Sequence, residues 1–274
     1  FGALAGAYFG SRSIAYIALA FALVTNIFAY WFSDKVAIAS AGAHMADEGQ
    51  YRELHRIVEN LAITAGLPKP RVYIIDDAAP NAFATGRDPK HAAVAVTTGL
   101  LSMLNRSELE GVLAHELSHV GNRDILVMTV AVVLVGFVSV LADMFMHAAW
   151  WGGGERDNSR AGAFAAIAAL LAMILAPLAA QLIQLAISRR REYLADASGA
   201  LLTRYPDGLA SALAKIGAYA APMERASTAT AHLFIANPFG AHYAGSASRR
   251  IVAGLFATHP PMAERIAALQ EMRL

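Results

Sequence analysis

Three apolar runs limit what this chain can fold into. Ser13–Phe32 and Ala161–Ile187 carry no charged residue, and Ile125–Met146 carries Asp143 alone. A bilayer core takes about 20 apolar residues to cross, so each run is long enough to be a transmembrane helix. Buried core helices of a soluble domain are a poor alternative for runs of this length. Composition points the same way: 57% of the 274 residues are hydrophobic and 16% charged, whereas ordinary soluble domains carry about 25% charged residues. Pro177 predicts a kink in the third run, which neighbouring helices can tolerate. The chain begins at Phe1, and residues 1–12 read as the remnant of an upstream segment, a truncated span. A cleaved signal peptide fits less well, because the next apolar run follows almost at once.

A net charge of +1 with no basic stripe excludes a nucleic-acid partner. With no cysteine in the chain, disulfides, thiolate metal ligands and a cysteine nucleophile are all excluded. Polar segments alternate with the runs. Residues 33–124 and 188–274 read as two parts of one catalytic region, and 147–160, with Trp151-Gly152-Gly153-Gly154, as a loop on the opposite side of the membrane. In the first polar part, Asp47–Ala65 is predicted as an amphipathic helix with Leu54, Ile57, Val58 and Leu61 on one face, ended by Gly66 and Pro68. Arg71–Ile75, Asn81–Thr85 and Ala92–Thr97 read as short strands. In the second, Ser188–Leu202 continues the third span as a helix, Pro206–Tyr219 is a helix, Asn237–Ser248 a mobile loop, and Pro260–Met272 a closing helix.

The chemistry lies in His115-Glu116-Leu117-Ser118-His119. Residues four apart share a helical face, so both imidazoles can hold one metal ion. Glu116 then lies beside that ion, where a carboxylate can take a proton from an attacking water. The pattern reads as a zinc peptidase site. Two histidines on a solvated helix face are the bland alternative. Against it, Ser107-Glu108-Leu109-Glu110 reads as a capping box that starts a helix, and Gly111, Ala114 and Ser118 suit close packing against a neighbour. A catalytic zinc takes three protein ligands. Glu192 and Asp196 offer two carboxylates four apart; one can bind zinc while the other orients a histidine, or the pair can simply solvate a basic helix end.

HELSH, followed across the hydrophobic hairpin by REYLAD, preceded by NAFATG and followed by THPP, resembles the HtpX-type integral-membrane zinc metalloproteases, relatives of the CAAX prenyl proteases. The resemblance runs from Trp31 to the C-terminus. It implies Glu192 as the third zinc ligand, Asp196 as the residue behind the ligands, and His259 as a group that stabilises the oxyanion. The family has two spans before its catalytic region, whereas one complete span is visible here. The expected fold is mainly α with a small β-sheet (α+β): membrane helices plus a zincin-like domain with an active-site helix and a short edge strand.

Topology follows from the ligands. His115, His119 and Glu192 must meet at one ion, so the chain between them crosses the membrane an even number of times, as two spans provide. Arg189, Arg190 and Arg191 abut the third span, whereas Arg156 and Arg160 of the opposite loop are offset by Glu155 and Asp157. The positive-inside rule then puts catalysis on the cytoplasmic side of the inner membrane. His119 lies six residues before Ile125, about 9 Å if helical, and Glu192 lies a similar distance beyond the third run, so the metal is predicted one to two turns off the hydrocarbon boundary. Asn81, Ala82 and Phe83 read as part of an exposed edge strand that pairs with an extended substrate, Asn81 holding a substrate carbonyl; a plain turn and strand is the alternative. Asp124 is expected to pair with a nearby arginine or to act as a solvated cap, and Tyr193 to pack. The expected activity is an endopeptidase of damaged or unfolded membrane proteins, working at the lipid bilayer with quality-control partners. Maturation of lipidated protein termini and a non-enzymatic scaffold with a structural metal are the competing readings.

Overall fold

The computed structural model describes residues 31–32, 34–130, 189–225, 230–240 and 260–272. Among the described residues no helix is long and apolar enough to cross a membrane. Most of Ser13–Phe32, Ile125–Met146 beyond Val130, all of Ala161–Ile187, the 147–160 loop, most of Asn237–Ser248 and His259 lie outside them.

What is described is mainly helical with one four-stranded sheet. The strands are β1 (His44–Met45), β2 (Arg71–Ile75), β3 (Ala82–Thr85) and β4 (Ala93–Thr97). The helices are α1 (Arg52–Thr64), α2 (Thr98–Met103), α3 (Arg106–Gly121), α4 (Arg189–Thr203), α5 (Pro206–Ala218) and α6 (Met262–Glu271). The sheet order is β1-β2-β4-β3, with β2 and β4 parallel and the outer pairs antiparallel. Side chains alternate between two cores, as a period of two requires. Val72, Ile74, Ala82, Ala84, Val94 and Val96 face the layer of α1, α3 and α5. Ile75, Phe83, Ala93 and Ala95 face a second cluster with Ala37, Met128, Leu233 and Phe234.

Local boundaries depart from the sequence expectations for identifiable reasons. The α3 capping box is real, but its cap is Asn105: the Asn105 side chain accepts from Glu108 N, and Glu108 reaches back to Asn105 N. Ser107 sits inside the first turn and donates to Asn105. The amphipathic helix starts at Arg52 rather than Asp47, whose carboxylate instead binds Gly49 and Gln50 N–H groups in a turn. Leu54, Ile57, Val58 and Leu61 form its buried face. The path from His119 to Ile125 is not one helix. It breaks at Asn122, and Arg123 takes a left-handed φ of 61° before a new helix begins at 124, so the helix-rise distance for that stretch does not apply. β1 and α2 were not expected. β1 has two residues, too few to leave a period, and α2 is six residues capped by Thr97 onto Leu100 N.

α3 is buried almost all round, from Glu108 to Val120 with Glu110 partly exposed. Two glycines make this possible. A Cβ on Gly111 would meet Leu209 N at 2.7 Å, and one on Gly199 would meet His115 N at 2.9 Å. So α5 and α4 both approach α3 backbone to backbone, α5 at Gly111 and α4 one turn later at His115. Gly199→Ala is expected to force α4 away from His115, lowering stability by about 1–3 kcal/mol. Thermal unfolding measures this, and an unchanged melting temperature would contradict the close approach.

Candidate metal and catalytic centre

α3 and α4 cross so that His115, His119 and Glu192 converge, all three buried. One ligand atom from each lies within 4.8 Å of the others. The two histidine Nε2 atoms are 3.2 Å apart. Glu192 Oε1 is 3.5 Å from His119 Nε2, and its Oε2 is 3.9 Å from His115 Nε2. The imidazole planes stand at 90°.

Each histidine is held from behind. His115 Nδ1 donates to Asp196 at 2.9 Å, and His119 Nδ1 to Asp124 at 3.1 Å. An imidazole that donates through Nδ1 presents a lone pair at Nε2. Both lone pairs therefore face the same point, an arrangement that a shared cation relieves. Ligand bonds of about 2.0–2.2 Å in a tetrahedral site place neighbouring donor atoms about 3.3–3.6 Å apart, close to the separations seen.

Charge gives the same answer. Glu116, Glu192, Asp196 and Asp124 are buried carboxylates. Arg265 and Arg191 are the two guanidiniums paired with them. So dense a set of carboxylates around two imidazoles suits a divalent cation at their centre. Two imidazoles and a carboxylate suit zinc rather than calcium or magnesium.

Arg265 is the residue that the sequence did not single out. On α6 and fully buried, it grips Asp196 with two bonds, Nε to Oδ2 at 2.8 Å and Nη2 to Oδ1 at 2.7 Å. Its Nη1 is 3.7 Å from Glu192 Oε2 and 3.5 Å from the Ile235 carbonyl. Burial works against the Asp196 carboxylate, yet Arg265 and His115 together hold its pKa down to about 2. Burial likewise opposes a charge on His119, but Asp124, Glu192 and Glu116 outweigh it and raise that imidazole above its ordinary value. Glu116 is buried between the two histidines of α3, and its charge also acts on Arg265.

Asp124 pairs with an arginine, as one of its two readings had it, and is not a solvated cap. It is buried and bridges His119 to Arg191, whose Nη1 lies 3.1 Å from Asp124 Oδ1. The Tyr193 hydroxyl donates to Glu264 at 3.0 Å.

The edge strand is not exposed. β3 is the outermost strand, but residues 231–236 run over it. Ile235 N donates to the Ala82 carbonyl, and Phe234 stands edge-on to Phe83 with ring centres 5.0 Å apart. Asn81 is buried and grips Ala236 at both ends, Nδ2 donating to its carbonyl and Oδ1 accepting from its N–H. The Asn81 amide is thus engaged by the chain itself. Leu233, Phe234 and Ile235 had a sequence signal, three consecutive large apolar residues, that the strand reading left unused.

Comparisons with known proteins follow this geometry. Residues 48–273 match the model of peptidase family M48. The chain is 51% identical over 269 residues to the protease HtpX homolog of Caldanaerobacter subterraneus, covering 97% of this chain and 86% of that one. It is 48% identical over 272 residues to the protease HtpX homolog of Pyrococcus furiosus, covering 98% and 90%. In fold it is similar to the crystal structure of S. mikatae Ste24p, with a TM-score of 0.53 and 19% identity, over 93% of this chain and 58% of that one.

Arg265→Met should leave Asp196 charged in the interior without its guanidinium, at a cost of about 3–5 kcal/mol. Adding Asp196→Leu should recover most of that stability, since an apolar pair can replace a buried ion pair. Zinc affinity in the double variant should still fall about 10–100-fold, because His115 loses its partner. Melting curves and zinc competition on the same preparations separate the two effects.

Proposed function

The chain belongs to peptidase family M48 and is a metalloprotease, and from that premise we infer a zinc endopeptidase that cuts membrane proteins beside the bilayer. The observation that carries the reading is the convergence of His115, His119 and Glu192 with Glu116 buried next to them. When bound there, zinc polarises the scissile carbonyl and acidifies water. Glu116 accepts the proton of the attacking water and delivers it to the leaving amine. Asp196 and Asp124 keep the two imidazoles in the tautomer that presents Nε2 to the metal. Arg265 holds Asp196 and stands beside Glu192, which limits the freedom of that carboxylate. We assign oxyanion stabilisation to His259, on the resemblance of THPP alone.

Substrate binding follows from β3. Because Thr97 N donates to the Asn81 carbonyl, alternation turns the backbone groups of Ala82 and Ala84 outward. The 231–236 segment takes Ala82 and Ala84 is itself buried, so pairing of an extended substrate at Ala84 requires its cover to move aside, and Phe83 and Asn81 act by holding the 231–236 segment. Main-chain pairing carries little sequence preference, which suits quality control of misfolded or damaged membrane proteins under stress. The three apolar runs and the Arg189–Arg191 cluster favour a multi-pass protein of the inner membrane with its site on the cytoplasmic side.

Glu116→Gln should retain zinc in elemental analysis and lose at least about 100-fold in turnover of an unfolded membrane-protein substrate in proteoliposomes. Glu192→Ala should lose the zinc. Wild-type turnover by Glu116→Gln would end the reading.

A further inference from the structure

The two metal-facing histidines are held by matched relays of unequal burial. Arg265–Asp196–His115 is closed off from solvent. In Arg191–Asp124–His119, the Arg191 side chain is 33% exposed while Asp124 and His119 are buried. The inner relay is built from helix interiors. The outer one is built from two chain junctions. Asp124 is the first residue of the helix that leads into the segment 131–188, and Arg191 lies in the first turn of α4, just after that segment.

The helix that Asp124 begins is itself tied to the sheet. Thr129 Oγ1 bonds Thr85 Oγ1 at 3.1 Å and accepts from Gly86 N at 3.3 Å, at the end of β3. Residues 124–130 at the start of this helix therefore touch the metal site through Asp124 and the edge strand through Thr129. Arg123, with its left-handed φ of 61°, supplies the sharp turn that swings Asp124 back toward His119. Without that turn α3 would run straight on, and the residue five positions after His119 would point elsewhere.

We propose that Asp124 and Arg191 are positioning residues. Their ion pair clasps the two ends of the segment 131–188 and, through Asp124, fixes the ring of His119 for metal binding. The proposal rests on the metalloprotease reading. It says that the relative position of the two junctions is transmitted to one ligand, His119, while His115 is held independently by α6. A purely structural clasp differs in one respect: it would work with its charges exchanged. Positioning would not, because an exchanged pair sets a guanidinium against His119 Nδ1, where an acceptor is required.

The test is zinc affinity of the purified full chain in detergent, by competition with a chelator of known affinity, with thermal melting of the metal-free protein alongside. Asp124→Ala and Arg191→Met should weaken zinc about 10–100-fold. Arg191→Lys should stay within a few-fold of the parent, and Arg190→Met, at an exposed neighbour, should match it. The exchanged pair Asp124→Arg with Arg191→Asp should recover melting temperature over the single variants but not zinc affinity. Recovery of affinity by the exchanged pair, or parental affinity in Arg191→Met, overturns the proposal. Should Arg191→Met not fold, Asp124→Ala decides alone, and parental affinity in that variant overturns it. A parent chain that binds no zinc instead overturns the proposed function, and the inference with it.

Discussion

Four carboxylates buried in one small region are the constraint that the rest of this structure answers to. An ionised group taken out of water without a partner costs several kcal/mol, so Glu116, Glu192, Asp196 and Asp124 can coexist only where positive charge is brought in from elsewhere in the chain. Arg265 comes from α6, at the C-terminal end, and Arg191 from the start of α4. The elements that meet at the site are those that carry its charges. α6 packs against α4 and α5 with Arg265 as its fully buried anchor, so docking the last helix is what brings this guanidinium to Asp196 and Glu192.

That convergence depends on backbone proximity. α3 brings two histidines to one face by spacing alone, but the third ligand reaches them only if α4 lies close to α3. Gly199 permits this at the level of His115, and Glu192 sits two turns earlier on the same helix, near Asp196. One turn earlier on α3, Gly111 lets α5 in at Leu209, and Lys215 and Ser211 of α5 secure Glu108 of the capping box. Held by α4 and α5 and packed against β3, α3 has little freedom to move its ligands. Rigid support of this kind is what a metal site needs to hold donor atoms at set distances.

The parts that were legible in the sequence share a local character. The spacing of four in His115–His119 and in Glu192–Asp196 is a property of one helix, and the apolar face of α1 repeats with a helical period. The alternation in β2 and β4 is likewise local. Arg265 escaped because its partner Asp196 is 69 positions away and its own surroundings, MAERIAALQE, read as a short amphipathic helix with an ordinary surface arginine. Asp124 was noticed for its place before an apolar run. Its link to His119 depends on the left-handed turn at Arg123, which a non-glycine residue seldom adopts. The covering of β3 was missed for the same reason, since strand pattern says nothing about which distant segment lies along the outer edge.

The covered edge changes how recognition must work. An open edge strand offers several backbone pairs, and affinity can accumulate along it. Here the segment 231–236 takes the first outward position at Ala82 and is itself rooted by Leu233, Phe234 and Ile235 in the two cores. Displacing three buried apolar side chains would cost several kcal/mol at about 1.5–3 kcal/mol each, more than a backbone pair returns. The segment therefore belongs to the permanent cover of β3, a wall along its outer edge. Arg265 touches the Ile235 carbonyl of that wall with the same guanidinium that holds Asp196. Wall and metal ligands consequently keep a fixed offset, and under the proposed function an extended chain is left only a short stretch of pairing beyond the wall. On that proposal, tolerance of sequence and restriction of register have a common origin: few hydrogen bonds, all of them to backbone.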